Sequence, residues 1–207
     1  MIARAEIDHV LLAAFDLDVA SHELEMRRGL ATVAGGRHPG WGTANRVVPL
    51  GDAYLELVAI ADEAEARCTA FGRWVLARRA SPLVPLGWAV RPASLDEDAA
   101  RLGLAVHDGA RERPDGSLLR WRLAGVEEAA AEPCLPFFIE WAPGSAFPGA
   151  AAESGVRLEH LVLGGDEERL TGWLGGARLP VEVQPGAPAV KAIVLRGDSR
   201  EIVLRQG

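Results

Sequence analysis

The sequence has few cysteines and no long apolar run, and these absences exclude several classes of protein. Its two cysteines, Cys68 and Cys134, lie far apart and in no CxxC pair, so we expect reduced thiols and a cytoplasmic location. No apolar run approaches the roughly 18 residues of a membrane span. The start, MIARAEIDHV, has neither an apolar core nor a cleavage site, so we expect no secretory signal.

Two further absences narrow the function. The net charge of −7 argues against a nucleic-acid partner, because such binding depends on basic side chains that meet phosphates. The chain also contains no GxSxG, no P-loop and no GxGxxG, so covalent serine chemistry and nucleotide binding by these routes are unsupported.

What the sequence does contain is one pattern of predicted elements, β-α-β-β-β, in three copies. The copies span residues 1–62, 84–142 and, in a shorter form, 156–207, and a helical connector occupies residues 63–83. Glycine, proline and aspartate mark the turns, such as the one at Pro114-Asp115-Gly116. Helix starts are also marked: Asp18 is a plausible N-cap in the first copy, and Ser94 with Glu97 forms a capping box in the second.

Two glutamates stand in otherwise apolar strands, Glu56 in AYLELVAI and Glu140 in CLPFFIEW. An unpaired carboxylate in apolar surroundings is costly, so each one needs a partner. The predicted fold is α+β, with curved mixed sheets that close into a cup-shaped half-barrel and helices on the outside. Because side chains alternate along a strand, His9, Glu56 and Glu140 are expected to converge inside that cup.

The motifs DHVLLAAFDLD, LELV and FIEW resemble the vicinal-oxygen-chelate superfamily. More closely, GGRHPGWGTANRVVPLGDAYLELVAI with GWAVRPASLDEDAARLGL and LPFFIEW is similar to the glyoxalase-like domain proteins. The resemblance covers about residues 5–141 well and 157–205 loosely.

The resemblance implies a divalent metal in the cup, held by side chains of the first and last strands of two copies. Residue by residue, it implies His9, Glu56 and Glu140 as ligands, whereas Trp88 occupies the fourth place and cannot ligate. Such a set suits Mn²⁺, Mg²⁺ or Fe²⁺ better than a structural Zn²⁺ site. The alternative is a cup without metal.

Which copies pair is left open. If copies one and three close on each other, His160 and Glu201 replace the contribution of copy two, although Glu201 aligns only after a one-residue gap. An unpaired third copy has an open face, so a homodimer is a further possibility.

The glycine-rich segment GGRHPGWGTANR is interpreted as a wall of the cup or as a plain loop. In the first case six side chains contact a small-molecule substrate: His38, Trp41, Thr43, Asn45, Tyr54 and Trp88. Glu56 and Glu140 are the candidate catalytic groups, and the alternative for each is an ion pair with an arginine such as Arg46, Arg120 or Arg122.

Two functions follow from these readings. One is a metal-dependent isomerase, lyase or dioxygenase that acts on a small organic acid. The other is a metal-free protein that binds or sequesters a small amphipathic molecule.

Overall fold

The computed structural model describes residues 4–79, 83–112, 116–151, 155–198 and 200–205. The predicted turn residues Pro114 and Asp115 lie outside these ranges. The α+β fold predicted from the sequence is confirmed, with strands and helices that alternate as the repeated pattern indicated. None of the helices in the described residues is long and apolar enough to cross a bilayer.

The first unit forms one half of a closed barrel. Its elements are β1 (Ala5–Ala13), α1 (Leu17–Arg28), β2 (Val33–His38), β3 (Thr43–Pro49) and β4 (Tyr54–Ile60). The N-cap of α1 is Asp16 and not the predicted Asp18, because the Asp16 carboxylate accepts hydrogen bonds from the backbone N–H groups of Asp18 and Val19. Gly29, with φ of 63°, ends the helix.

Two short helices connect the units, and the second unit forms the other half of the barrel. These elements are α2 (Glu63–Ala66), α3 (Ala70–Arg78), β5 (Val84–Pro92), α4 (Leu95–Leu102), β6 (Val106–Glu112), β7 (Leu118–Ala124), α5 (Val126–Ala131) and β8 (Phe137–Trp141). The face of α3 formed by Phe71, Trp74 and Val75 is buried, as its helical spacing indicated.

The barrel closes in the order β1-β4-β3-β2-β6-β7-β8-β5 and back to β1. It has two junctions between units. β1 and β5 pair along their whole length, from Ala5–Pro92 to Ala13–Val84, whereas β2 and β6 share the pair Arg37 with Glu112 within the described residues, which stop at Glu112 on that side. At this second junction a Cβ on Gly36 would lie 1.8 Å from the carbonyl oxygen of Glu112, so only glycine permits the approach.

β1 contains a bulge at Asp8. Its register with β5 passes from Ile7–Val90 to His9–Ala89, which leaves Asp8 without a partner residue. A bulge re-aims the side chains around it. Here it allows the adjacent side chains of Asp8 and His9 to touch, although neighbours on a regular strand point to opposite faces.

The third unit forms a separate sheet against the outside of the barrel. A 3₁₀ turn (Pro148–Ala151) leads to β9 (Arg157–Gly164), α6 (Glu167–Trp173), β10 (Val181–Gln184), β11 (Ala189–Arg196) and β12 (Glu201–Arg205). Its strand order is β10-β9-β11-β12, whereas the first unit has β1-β4-β3-β2, so the third unit shares the order of elements along the chain but not the topology.

Aromatic packing fixes this sheet to the barrel. Trp173 stacks on Phe138 with ring centroids 5.8 Å apart and donates a hydrogen bond to the carbonyl of Pro136 at 2.8 Å. β11 packs against β5, so the barrel itself covers the face for which a second chain was considered. The homodimer stays a prediction.

Candidate functional site

The carboxylate of Glu56 is the centre of a polar cluster inside the barrel. Glu56 is 6% exposed, and its Oε1 accepts a hydrogen bond of 2.7 Å from the side-chain amide of Asn45. Its Oε2 lies 3.3 Å from Nε2 of His9, and Oε1 lies 3.7 Å from Nε2 of His38. The partners that a buried carboxylate requires are therefore all polar groups of the first unit.

Asp8 orients the imidazole of His9 from the side away from Glu56. Its fully buried carboxylate lies 2.6 Å from Nδ1 of His9 and accepts further hydrogen bonds from Arg91 at 2.8 Å and Trp141 at 2.9 Å. Burial alone would raise the pKa of Asp8, but the hydrogen bonds from His9 and Trp141 and the charges of His9 and Arg91 outweigh it and lower the pKa. An ionised Asp8 fixes the proton of Nδ1, so Nε2 is the atom that faces Glu56.

His9 lies between two buried carboxylates. Its Nδ1 faces the carboxylate of Asp8 at 2.6 Å, and its Nε2 faces the carboxylate of Glu56 at 3.3 Å. Asp8, His9 and Glu56 thus form a carboxylate–imidazole–carboxylate row inside the barrel.

His38 is kept neutral. Burial lowers its pKa to about 4, and the charge of Arg111 acts in the same direction, whereas Glu56 opposes it. Its Nδ1 lies 2.7 Å from the hydroxyl of Thr43, which is itself buried. Thr43 therefore orients the imidazole and does not reach the cavity.

Arg111 contributes a positive charge from the second unit. It is 6% exposed, and its guanidinium donates a 3.3 Å hydrogen bond to the amide oxygen of Asn45, whose amide nitrogen is bound to Glu56. Asn45 thereby bridges the two charged groups across the junction of β2 and β6. Tyr54, stacked on His9 at 4.7 Å, has a pKa well above its usual value because burial and the charges of Asp8 and Glu56 disfavour the phenolate, so its hydroxyl stays protonated.

Aromatic side chains fill most of the barrel around this cluster. The remaining cavity measures about 30 Å³, enough for about two water molecules. Its apolar lining consists of Trp41, Phe71, Trp121, Leu123, Phe137, Ile139 and Trp141. A ligand larger than a few atoms therefore has to displace some of these side chains.

Most of the predicted site residues of the first unit meet in this cavity. They are His9, His38, Trp41, Asn45, Tyr54 and Glu56.

Glu140, predicted to be a metal ligand and catalytic group, lies on the outer face of β8. There it accepts hydrogen bonds from Arg122, one of them 2.9 Å from Nε, and Arg122 also binds Asp96. Its neighbours Ile139 and Trp141 line the cavity instead. The alternative that the sequence allowed for this carboxylate, an ion pair with arginine, is the one observed.

Trp88, predicted to contact substrate, also lies outside the cavity. It is fully buried in the core between the barrel and the second sheet, where its indole N–H donates to the carbonyl of Cys134 at 3.2 Å. The residue opposite His9 is Ala89, which pairs with Phe137 as His9 pairs with Tyr54.

The same register identifies the residue of the second unit that matches Glu56. Glu56 lies two residues beyond Tyr54 on β4, and Ile139 lies two residues beyond Phe137 on β8. The positions of the second unit that match His9 and Glu56 are therefore Ala89 and Ile139, which have no metal-binding atoms.

The alternative ligands His160 and Glu201 belong to the second sheet and not to the barrel. His160 pairs with Val194 of β11, and the exposed Glu201 forms an ion pair with Arg196 at 3.1 Å. They do not join the cluster around Glu56.

The residues present do not fit a divalent metal. Catalytic sites of this kind use about three protein ligands, and the predicted positions supply only His9 and Glu56. The guanidinium of Arg111 disfavours protonation of His38, and the same positive charge would disfavour a cation at the cavity. Among the described residues, no group of three or more histidine, cysteine, aspartate or glutamate side chains is arranged to hold a metal ion.

Two important residues were missed from the sequence. Asp8 was considered only as an ordinary partner of His9, and the bulge that places both side chains together has no sequence signal of its own. Arg111 lies two residues after Gly109 on β6, so the two share one face of the strand, and their partners on β7 are Leu119 and Trp121. A charged residue on a face that pairs with apolar residues was the signal that the sequence offered.

Solved structures include one that matches nearly the whole chain and two that match about two thirds of it. A hypothetical protein from Staphylococcus aureus superposes with a TM-score of 0.74 at 11% identity, covering 95% of this chain and 93% of that one. The Streptomyces coelicolor methylmalonyl-CoA epimerase has a TM-score of 0.48 at 20% identity, with 68% of this chain and 97% of that chain covered. The epimerase from Mycobacterium tuberculosis gives 0.45 at 20% identity, with 67% and 88% covered.

None of the curated proteins that were compared matches the chain. The model of one family, described as the glyoxalase-like domain, matches residues 7–178. That span includes the barrel from the third residue of β1 onward and the start of the third unit. The chain belongs to the glyoxalase-like domain family.

Proposed function

We propose that the barrel interior is a proton-transfer site that isomerises a small carbonyl compound or eliminates a group from it, with Glu56 as the base. The observation that carries this proposal is the buried Glu56 carboxylate, held 3.3 Å from His9 Nε2 and hydrogen-bonded to Asn45. A base fixed by neighbours in a water-poor cavity is the arrangement that general-base catalysis needs.

The proposed step is removal of a proton from the carbon next to a carbonyl group. The C–H bond breaks, its proton passes to a carboxylate oxygen of Glu56, and the electron pair moves onto the carbonyl oxygen as an enolate. Return of the proton at carbon gives an isomer, and loss of a group from the neighbouring carbon gives an elimination product. His9 holds the base in place, and Asp8 orients His9.

Two groups of the cavity suit the developing negative charge. Arg111 supplies a fixed positive charge with several N–H donors, and Tyr54 supplies a protonated hydroxyl. Donors aimed at the oxygen where charge develops stabilise the transition state strongly in a site with little water. No step of this scheme uses a metal, because the donor set does not fit one.

Deuterium exchange tests the proposal without knowledge of the natural substrate. The protein is incubated in D₂O with pyruvate, 2-oxobutyrate and dihydroxyacetone, and loss of the C–H signals is followed by proton NMR. We expect exchange above the buffer rate for at least one probe, and Glu56→Gln should lower it by about 100-fold or more.

Glu140→Gln is the matched control, since Glu140 lies on the outer face of the same barrel and its replacement should leave exchange unchanged. Thermal melting of both variants checks that they are folded. Exchange that survives Glu56→Gln, or exchange that never exceeds the buffer rate with any probe, contradicts the proposed role.

A second candidate function is binding without turnover, and the aromatic lining of the cavity favours it. Beside the polar cluster, the ring centroid of Trp41 lies 5.3 Å from that of Phe71 and 6.0 Å from that of Trp121. Such a lining suits an apolar ligand with one polar group. Saturable binding of a carbonyl probe with no deuterium exchange would support this candidate over the first.

A further inference from the structure

A recess of about 370 Å³ lies at one end of the barrel, next to the buried cavity. The turn between β2 and β3, the start of α3, the start of β6 and the start of α5 form its walls. Its volume falls within the range of roughly 300–1,000 Å³ that small-molecule sites occupy. We call this space the mouth recess; its apolar walls are Trp41, Ala70, Phe71, Ala105, Leu123 and Val126.

A single layer of side chains separates the mouth recess from the buried polar cluster. Trp41, Phe71 and Leu123 line both spaces, and the ring centroids of the two aromatic residues lie 5.3 Å apart. The same two rings lie 5.9 and 6.1 Å from the imidazole of His38. Nε2 of that imidazole lies 3.7 Å from the carboxylate of Glu56. The partition between recess and cluster is therefore one side chain thick.

Trp41 is the member of this partition that can turn aside. Phe71 and Leu123 are 6% and 4% exposed and belong to the core of the barrel, whereas Trp41 is half-buried and packs against that core. The carboxylate of Glu65 accepts hydrogen bonds of 3.0 and 2.9 Å from the backbone N–H groups on either side of Trp41. The loop is thus anchored through its backbone, and the indole can rotate while the loop stays in place.

Rotation of Trp41 would join the two spaces. The buried cavity of about 30 Å³ is too small for a carbonyl compound while the partition is closed. An outward indole connects it with the much larger mouth recess. The buried walls of the recess are apolar, whereas the carboxylates that line it, such as Asp108 and Glu127, are more exposed to solvent. The joined space therefore has a polar inner end and an apolar outer part.

We infer that the substrate of the proposed reaction carries an unbranched apolar arm, which extends from its carbonyl group past Trp41 into the mouth recess. The carbonyl group lies beside Glu56, and the arm packs on Phe71, Leu123 and Val126. The inference rests on the proposed function for the carbonyl group and adds the class of substrate, a medium-chain aliphatic carbonyl compound rather than one as short as pyruvate. Burial of the methylene groups of the arm supplies the affinity.

Three 2-oxo acids with the same polar end and increasing chain length test the inference: 2-oxobutyrate, 2-oxohexanoate and 2-oxooctanoate. Their dissociation constants are measured by titration calorimetry. Because each buried methylene adds a similar transfer free energy, we expect the affinity to rise about 10-fold for every two methylenes. An arm that stays in solvent gives no such rise.

A variant that fills the recess locates the arm. Ala105 is an exposed residue of the recess wall outside the strands and helices, so Ala105→Trp adds bulk there without replacing a core residue. We expect it to lower the ratio of the affinities for 2-oxooctanoate and 2-oxobutyrate by about 10-fold or more. Ala187→Trp is the matched control, because Ala187 is an exposed residue of the third unit and does not line the recess.

A second variant tests the partition itself. Trp41→Ala removes the side chain that has to turn aside, so the association rate of 2-oxooctanoate in stopped-flow measurements should rise by about 5-fold or more. Thermal melting checks that all three variants are folded.

Several results would overturn the inference. They are equal affinity for the three acids, absence of saturable binding of 2-oxooctanoate, an unchanged affinity ratio in folded Ala105→Trp, an equal loss in Ala187→Trp, or association that is no faster in Trp41→Ala.

Deuterium exchange separates this inference from the proposed function. Exchange that requires Glu56, together with affinities that do not depend on chain length, supports the proposed reaction and overturns the arm. Affinities that rise with chain length, together with no exchange for any of the acids, overturn the reaction and support the arm.

Discussion

The carboxylate of Asp8 lies 2.6 Å from Nδ1 of His9, the residue directly after it on the same strand. The bulge in β1 makes this contact possible and leaves Asp8 as the common acceptor for His9, Arg91 and Trp141. The contact therefore joins the fold of the barrel to the orientation of the imidazole that faces Glu56.

Replacing Asp8 tests how much this acceptor stabilises the protein. Asp8→Asn leaves Arg91 without its buried partner, and we expect a loss of about 3 kcal/mol in the free energy of unfolding at pH 7. The lowered pKa means that the contribution is complete above the unfolded value of 3.8 and is lost as pH falls below it.

Urea denaturation followed by tryptophan fluorescence measures this loss. The control is Glu6→Gln, since Glu6 contacts the same arginine but has a side chain that is 76% exposed. It should change the free energy of unfolding by less than about 0.5 kcal/mol. Equal effects of the two substitutions would contradict a special role for the buried carboxylate.

His38 should make the protein less stable as the solution becomes acidic. Its pKa is about 4 in the folded protein and 6.5 as the ordinary value, so the unfolded chain binds the proton first. Stability should fall between pH 6.5 and 4 by up to about 1.4 kcal/mol per pH unit, on the order of 3 kcal/mol in total. Below about pH 4 the effect of His38 levels off.

Denaturant unfolding at several pH values checks this slope. His38→Gln should flatten the dependence between pH 6.5 and 4, whereas His22→Gln, at an exposed histidine of α1, should leave it unchanged. An identical slope in the wild-type protein and in His38→Gln would show that another group causes the acid sensitivity.

The loop of Trp41 gives a matched pair of glycine substitutions. Gly40 and Gly42 have φ of 78° and 66°, so alanine costs about 1–2 kcal/mol at either position. A Cβ on Gly42 would also lie 2.3 Å from backbone atoms of Ala66 and Asp62, whereas a Cβ on Gly40 meets nothing within 4 Å.

We therefore expect Gly42→Ala to cost about 1–3 kcal/mol more than Gly40→Ala in urea denaturation, because overpacking adds to backbone strain. Similar losses in both variants would mean that α2 moves freely away from the loop.

Addition of metal should leave the protein unchanged. With only His9 and Glu56 at the positions expected for ligands, 1 mM Mn²⁺, Fe²⁺ or Zn²⁺ should not raise the melting temperature relative to EDTA, whereas a ligand specific for the folded state would raise it. Elemental analysis after dialysis should give less than about 0.1 equivalent of metal. A stoichiometric ion that is lost in His9→Ala would contradict the assignment of this cavity.

Glu56 was predictable because it interrupts an apolar strand. Asn45, on the paired strand β3, and His38, at the end of β2, were predicted instead from the glycine-rich segment GGRHPGWGTANR and its family resemblance. The inward positions of the second unit were not predictable, because the bulge at Asp8 shifts the register between β1 and β5 by one residue, from the expected Trp88 to Ala89. Both faces of β8 are also buried, Phe138 outside and Ile139 inside, so alternation could not identify the inner one.

Strand pairing in the third unit could not be predicted for a different reason. The order of elements along the chain was right, but β9 lies between β10 and β11 rather than beside β12. Pairing depends on which apolar faces meet, and here Leu161 and Leu163 of β9 pack on the outside of a barrel that is already closed. Linear order contains no information about that contact.

The two halves of the barrel meet along different kinds of contact. On one side β1 and β5 pair over their whole length, and on the other the described residues are linked by the pair Arg37 with Glu112 and by the hydrogen bond from Arg111 to Asn45. The polar cluster is therefore built across the second of these contacts, so a change in how the two units meet there would also displace the amide that holds Glu56.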